Sequence, residues 1–442
     1  MKSNEQKRGA ILITTVVMAM GVAIALGSFI ALSVHSSRLS NSSFNFNSAL
    51  NLAEAGLETA MSSINRSDWS GWSSYQGNSA NKHMTLPTFD LGPSTTGAVD
   101  VVVFGATSSP TPRIVAEGRT IGHLGSSVRK QVEVRLRRRS HFATGMVAKD
   151  VVTFSGGNAY VDSYNSEDPN YSTANQYDSA KKRDRGSVAS ARVEVTTDGV
   201  AIGNGNVWGY AATGGSDVDV GATGSIKGTD TPSGVRIDTN RVTKDFTANF
   251  DAETAPATGF TSIYGAVSSS TTFGTAGTSS TILAASLTAN NSSDVFTVVG
   301  DVTMVVTGNI TIKGSIEVAP NSSLTLYTPG DVDIGGNGIV NATNQPKNVV
   351  IYGTETTAAG QTIKLHGNGV LQAAVYAPNA AIELKGGGSS GVMCGSVIGH
   401  TIKMTGNYEF HYDESLAELA AGNPWAVGLW REITAPAEMV AF

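Results

Sequence analysis

Pairs of aspartates separated by one residue are the side chains best placed to do chemistry. Asp217 and Asp219 form one pair, Asp331 and Asp333 form another, and Asp301 stands alone. In a strand, residues two apart project from the same face, so each pair presents two carboxylates together. Such carboxylates can bind Ca²⁺ or cleave a glycosidic bond. Solvent-facing or turn-capping roles are commoner, so we predict no catalytic residue, no metal site and no cofactor.

One histidine and a group of aromatic residues are the other candidates. His411 lies in Phe-His-Tyr-Asp-Glu, residues 410–414, where it could bind a metal or transfer a proton, or simply belong to a capping segment. Six aromatic residues between 160 and 210 could form a sugar-binding surface or pack in loops. The single cysteine, Cys394, excludes an internal disulfide and a multi-cysteine metal site.

A recurring pattern of short strands and glycine corners must position these residues. Glycine makes up 50 of the 442 residues, against about 7% in average usage. Units of a short apolar-alternating strand, a Gly/Asn corner and a second strand recur at 152–161, 200–208, 310–318, 332–340, 363–371, 382–388 and 402–410. No unit can bury its apolar side alone, whereas stacked units share a core. We therefore predict a mainly β fold with a right-handed parallel β-helix over 141–418; a β-sandwich is the alternative.

The N-terminus carries a candidate membrane helix. Residues 10–34 contain no charge, and a helix of about 20 apolar residues spans a bilayer. Lys2, Lys7 and Arg8 precede the segment, so the positive-inside rule predicts a single pass with residues 1–9 as a cytoplasmic leader. The body would then lie in the periplasm or on the cell surface. An ordinary signal anchor is the simpler alternative.

The helical pattern continues beyond the apolar segment. Apolar residues recur at helical spacing from Ala49 to Ile64, with Glu54 and Glu58 on the opposite face, which predicts a helical extension over 35–66. Strand patterns at 99–104, 113–119 and 128–136 predict a small β-rich head over 67–140. Residues 419–442 are left as a C-terminal cap or tail.

Two stretches near the N-terminus resemble a known family. Lys-Arg-Gly-Ala-Ile-Leu-Ile-Thr, residues 7–14, resembles the start of PilX-type minor pilin-like proteins of type IV pili, and Asn-Leu-Ala-Glu-Ala-Gly-Leu-Glu, residues 51–58, resembles their second signature. The resemblance implies a leader-cleavage site at Gly9. It also implies a helix that packs in the membrane and against other pilins through Ala10, Ile11, Leu12, Ile13, Val16, Val17, Ala53, Glu54, Ala55, Gly56 and Leu57.

One position departs from the pattern of major pilins. After cleavage at Gly9, the fifth mature residue would be Thr14, where major pilins carry a glutamate that pairs with a neighbour's N-terminal amine. A carboxylate in an apolar filament core needs such a partner. The threonine therefore favours a tip, minor or membrane-retained component.

The body resembles an uncharacterised β-rich domain found behind PilX-like N-termini. The resemblance rests on residues 162–166, 373–380, 386–391, 395–399, 410–414 and 430–432, and it supplies no catalytic residues. The net charge of −6 predicts no nucleic-acid partner, and we expect the basic cluster Arg135, Arg137, Arg138 and Arg139 to be a solvated strand end.

These observations predict a non-enzymatic pilus assembly protein. It would be anchored in the bacterial inner membrane, contact other pilins and the assembly machinery through its helix, and display a β-helix for surface attachment or pilus priming. The alternative is a membrane-anchored β-helix that binds or degrades a surface polysaccharide.

Overall fold

A single long helix opens the chain. The computed structural model describes residues 2–92, 95–109, 111–122, 127–138, 140–367, 370–386, 391–419 and 425–442, with the side chains of residues 2–14 and 138 outside that description. Helix α1 spans Lys2–Arg66 without a proline. It ends where Ser67 takes a left-handed backbone, and the N–H groups of Ser67 and Asp68 donate to the carbonyls of Ile64 and Ser63. This Schellman arrangement satisfies the last carbonyls of the helix.

The rest of the described chain is mainly strand. The strands are β1 Ser73–Tyr75, β2 Asn78–Thr85, β3 Phe89–Asp90, β4 Thr96–Phe104, β5 Arg113–Ile121, β6 Ser127–Arg138, β7 Met146–Ala148, β8 Val152–Ser155, β9 Tyr160–Tyr164, β10 Gly186–Ser190, β11 Asp198–Gly203, β12 Asn206–Thr213, β13 Asp217–Val220, β14 Ser225–Lys227, β15 Val242–Thr243, β16 Ser262–Val267, β17 Thr271–Ala289, β18 Val295–Val306, β19 Ile310–Ile312, β20 Ser315–Val318, β21 Ser323–Thr328, β22 Val332–Ile334, β23 Gly338–Asn341, β24 Val349–Gly353, β25 Gln361–Gly367, β26 Val370–Gly386, β27 Gly391–Thr405, β28 Tyr408–Asp413 and β29 Trp425–Ile433. Short 3-10 helices lie at Ser179–Lys181, Thr239–Arg241, Pro346–Asn348, Glu414–Glu418 and Pro436–Glu438.

The first compact unit combines Met1–Arg138 with Pro424–Phe442. Its antiparallel sheet has the order β1-β2-β4-β5-β6-β29, with β3 paired to β4. The three strands predicted from the sequence in this region are present as β4, β5 and β6. The segment interpreted as a C-terminal tail supplies β29, which pairs with β6 along its whole length.

The second unit, Arg139–Asn423, is a parallel β-solenoid of about ten turns. Each turn contributes strands whose inward side chains join one continuous apolar core. The named strands of this unit pair in parallel, as the strands of a β-helix do and those of a β-sandwich do not. Corners such as Gly336 and Gly338 have positive φ, which explains the glycine recurring at these points.

The turns do not stack in the order in which the chain makes them. The chain enters the solenoid at β7–β9 and builds turns up to β15. Residues 244–261 then lead to β16, at the opposite end of the solenoid. A second series of turns begins there and ends at β28. This last turn pairs with the first one, β27 with β7 and β8, and β28 with β9. We call this junction the seam.

Candidate functional site

The C-terminal third of α1 packs closely on the sheet of its own unit. Leu52, Leu57 and Ile64 are buried there, in contact with the strand residues of β4, β5 and β6. Small residues allow the approach: a Cβ atom on Gly56 would lie 2.8 Å from Val99 Cγ1 and 3.1 Å from Ala116 Cβ. Facing the helix, a Cβ atom on Gly118 would lie 2.6 Å from the Ala53 nitrogen.

The residues of the Ala-Glu-Ala-Gly signature therefore divide between two faces. Ala53, Gly56 and Leu57 are buried against the sheet, Ala55 is half-buried, and Glu54 is exposed. The small residues of the signature are what the helix–sheet contact requires, since larger ones would hold the two elements apart.

The preceding part of α1 exposes its large apolar side chains in the described part of the structure. The stretch from Thr15 is long and apolar enough to cross a membrane, with a mean hydropathy of 2.3 over its most apolar window. Val16 and Val17 are exposed, and the side chains of Ala10, Ile11, Leu12 and Ile13 lie outside the described part of the structure. Exposed apolar residues continue beyond residue 34, at Leu39 and Phe44.

A buried polar cluster lies on the outer face of the seam. His411 on β28 and Asp162 on β9 are register partners, and a 2.5 Å hydrogen bond joins His411 Nδ1 to Asp162 Oδ1. Tyr177, from the loop 165–185, donates its hydroxyl to Asp162 Oδ2 at 2.7 Å. Its ring lies flat on the imidazole of His411, with centroids 3.5 Å apart. The His–Asp pair thus ties the first turn to the last and is sealed from water by Tyr177.

Two further carboxyl groups form hydrogen bonds and an ion pair at the same junction. Asp413 Oδ1 accepts hydrogen bonds from the backbone N–H groups of Ser166, at 3.0 Å, and Ser415. Glu414 accepts from the Ser163 hydroxyl at 2.9 Å and lies 3.3 Å from Arg183. Burial raises the pKa of both carboxyl groups, because it penalises their charged forms more than these partners favour them.

Cys394 lies next to His411 in register, so a nucleophile, a base and an acid stand on successive strands. The Cys394 thiol in this arrangement is not activated as a nucleophile. Burial raises the pKa of the Cys394 thiol, which keeps it protonated, and a thiolate is the reactive form. The second imidazole nitrogen of His411, Nε2, faces Glu409 at 3.4 Å. The geometry is that of a packed, hydrogen-bonded junction.

A cleft of about 350 Å³ adjoins this cluster. We call it the amide cleft, because five amide side chains line it: Gln176, Asn337, Asn341, Asn344 and Gln372. Three valines on neighbouring strands form an apolar strip beside them: Val340, Val370 and Val392. Tyr177 and Cys394 close the end nearest the seam.

The aspartate pairs do not converge on a common site. Asp217 forms an ion pair with Lys244, Asp333 lies 2.6 Å from His366 Nε2, and Asp331 accepts from the backbone N–H of Thr362. Asp217, Asp331 and Asp333 therefore each have a local structural partner, and Asp301 accepts a hydrogen bond from the Ser323 hydroxyl at 2.8 Å. Among the described residues, no group of three or more His, Cys, Asp or Glu side chains could hold a metal ion.

Sequence reasoning identified both halves of the seam cluster but not their contact. Residues 162–166 and 410–414 stood out as separate stretches, and pairing of β9 with β28 brings them together. The amide residues of the cleft were missed, since asparagine and glutamine at turns are ordinary and nothing in their spacing marks a common site.

The fold defines a class: a protein with a long, partly exposed N-terminal helix packed on an antiparallel sheet, followed by a parallel β-solenoid. Residues 282–419 match a family described as a domain of unknown function, DUF7305. The match runs from the middle of β17 through β28 to the end of the 3-10 helix at the seam. No curated protein and no solved structure matches the chain.

Proposed function

We propose that this protein is a membrane-anchored, non-enzymatic, PilX-like component of a type IV pilus system. In this proposal its helix packs with other pilin helices in the bacterial inner membrane. Its solenoid is displayed in the periplasm or at the surface, for attachment or pilus priming.

One observation carries the proposal: the division of α1 into an exposed apolar part and a part fixed to a sheet. A plain anchor needs only about 20 residues to span the bilayer and a linker after them. Here the helix continues to Arg66, and the contact at Gly56 and Gly118 holds it rigidly to its unit. A rigid stalk with an uncovered apolar surface suits lateral packing with similar helices.

The apolar surface beyond the membrane span supports the same conclusion. Leu39 and Phe44 are 59% and 49% exposed, although they follow the charge-free segment by several residues. Phe44 lies ten residues, about 15 Å of helix, beyond that segment and so outside the hydrocarbon core, and water disfavours large exposed apolar side chains. Other helices of the same kind would bury them.

Photo-crosslinking in the producing cells tests the proposal. A crosslinking amino acid replaces Leu39, and a matched variant carries it at the exposed Glu58, which lies nearer the sheet. We expect adducts with other prepilin-like subunits from position 39, few from position 58, and the protein in sheared filament fractions. Adducts with lipid alone, together with absence from filaments, would identify a simple anchor.

The N-terminus of the mature protein provides a second test. Processing by a prepilin peptidase predicts a mature chain that begins at Ala10, directly after Gly9. Mass spectrometry of the N-terminal peptide reads this out. An intact Met1 or Lys2 terminus in the membrane fraction would contradict pilin-type processing.

A further inference from the structure

The amide cleft is built from distant parts of the solenoid. Its floor is formed by outward side chains of stacked strands, with Val370 facing Val392 in register and Gln372 facing Cys394. Its roof joins two loops, since the Gln176 side chain donates to Asn344 Oδ1 at 2.9 Å and the Asn344 side chain reaches the carbonyl of Ala174. An ion pair between Lys347 and Glu167 holds the same loops together.

Gln372 brings a largely buried amide side chain to the lining of the cleft. It is only 7% exposed, yet within the described part of the chain its side-chain amide has no hydrogen-bond partner. Asn341, by contrast, is fully engaged, because it donates to the carbonyls of Gln345 and Gln372 and accepts from Thr343. The Gln372 amide is open to the cleft, where water or a bound molecule can supply its hydrogen bonds.

The lining selects the chemistry of a ligand. Among the described residues that line the cleft, none carries a formal charge at neutral pH, which disfavours an anionic or cationic ligand. The amides offer both donors and acceptors, and the valines offer an apolar strip beside them. The floor strands pair with each other through their backbones, so a ligand meets side chains and cannot add as a further strand.

We propose that the amide cleft binds a neutral sugar unit of a polysaccharide. Hydroxyl groups would pair with Gln372 and Asn337, while the C–H face of the ring lies on the strip at Val370 and Val392. The volume of about 350 Å³ is at the low end of the roughly 300–1,000 Å³ of small-molecule sites, which fits a short stretch of glycan. The inference concerns binding without cleavage and goes beyond the anchoring role.

Calorimetry with the full chain in lipid nanodiscs tests the site, because glycoside detergents would compete. The probes are cellohexaose, xylohexaose, maltohexaose and chitohexaose, with hexagalacturonate as the charged comparison. We expect at least one neutral hexaose to bind and hexagalacturonate not to bind. Gln372→Leu removes the amide at nearly constant volume and should weaken binding about tenfold.

A second variant controls for misfolding as the cause of any loss of oligosaccharide binding. Val370 is half-exposed, so Val370→Arg should fold, fill the cleft and abolish binding. Val193→Arg changes an exposed valine elsewhere on the solenoid and should leave binding unchanged. Absence of binding by every neutral hexaose, tighter binding of hexagalacturonate, or affinity unaltered by both cleft variants would overturn the proposal. The assay uses the isolated chain, so its result does not depend on whether the protein enters filaments.

Discussion

Replacing Gly118 by alanine should lift the helix from the sheet in the first unit. Gly118 lies on β5 directly beneath α1, and a Cβ atom there would overlap the carbonyl oxygen of Ala49 and lie 2.6 Å from the Ala53 nitrogen and 2.9 Å from Leu52 Cβ. Carbon atoms in ordinary contact lie about 3.5–4.0 Å apart, so the helix must retreat by about 1 Å. The obstructing atoms are helix backbone, which cannot rotate away.

The size of the effect follows from what the helix buries. Leu52, Leu57 and Ile64 are almost fully buried against the sheet, and burial of each contributes about 1.5–3 kcal/mol. A gap of about 1 Å removes a quarter to a half of the contact energy. Gly118→Ala should therefore destabilise the first unit by about 3 kcal/mol, near the top of the usual range for overpacking. In a unit of this size that lowers the Tm by roughly 6–12 °C.

Tryptophan fluorescence gives a readout specific to this unit. Trp69, Trp72, Trp425 and Trp430 lie in the first unit, and Trp208 is the one tryptophan of the five in the solenoid. The first three pack against the core between the helix and the sheet. Thermal unfolding of the full chain in micelles, followed at 350 nm, should show an earlier transition for Gly118→Ala.

A glycine in the same helix supplies the control. A Cβ atom on Gly27 would meet nothing within 4 Å, so Gly27→Ala should not lower the transition. If Gly118→Ala unfolds at the wild-type temperature, with unchanged amide protection in residues 49–64, then the helix does not rest on β5 and α1 is not a rigid stalk.

Three further predictions concern the seam. His411→Ala removes one partner of a buried pair. It should lower the free energy that protects the amides of β9 and β28 from hydrogen exchange by about 3 kcal/mol, whereas His366→Ala, at a half-exposed histidine, should leave that protection unchanged. Because burial raises the folded-state pKa of Asp413, its favourable contribution is present in acid and is lost as pH rises through that raised pKa. Solenoid stability should therefore increase between pH 7 and about pH 4 more in wild type than in Asp413→Asn, and equal slopes would contradict this. Cys394 should react with DTNB at pH 8 only after unfolding, and fast labelling of the native protein would show that its thiol is neither buried nor protonated.

Local periodicity explains what could be predicted about the elements. The alternation of Val132, Val134 and Leu136 with charged residues predicted the strand β6, and these three residues are buried in the structure. Sequence patterns were less informative for residues that are buried by segments distant in the sequence. Glu133 alternates with these apolar residues, yet it is buried among Arg113, Arg135 and Arg431, and Arg431 lies on β29, distant in the sequence.

The candidate site could be predicted only in fragments. The sequence showed His411 with its acidic neighbours, and separately the aromatic residues around Tyr177. It did not show that Asp162 is the partner of His411, because 249 residues separate them. Nor did it show that the Gln372 side chain would line a cleft, since an amide carries no pattern that reveals its surroundings.

The sequence alone determined the kinds of element: an apolar helix, its extension, and a solenoid with glycine corners. These follow from residue spacing within a turn or a strand, which acts over a few residues. The tertiary structure decided which turn stacks on which. Every solenoid turn presents the same kind of backbone edge, so its local pattern is compatible with many neighbours. Only the complete set of side-chain contacts, with His411 against Asp162 among them, selects the seam between the first turn and the last.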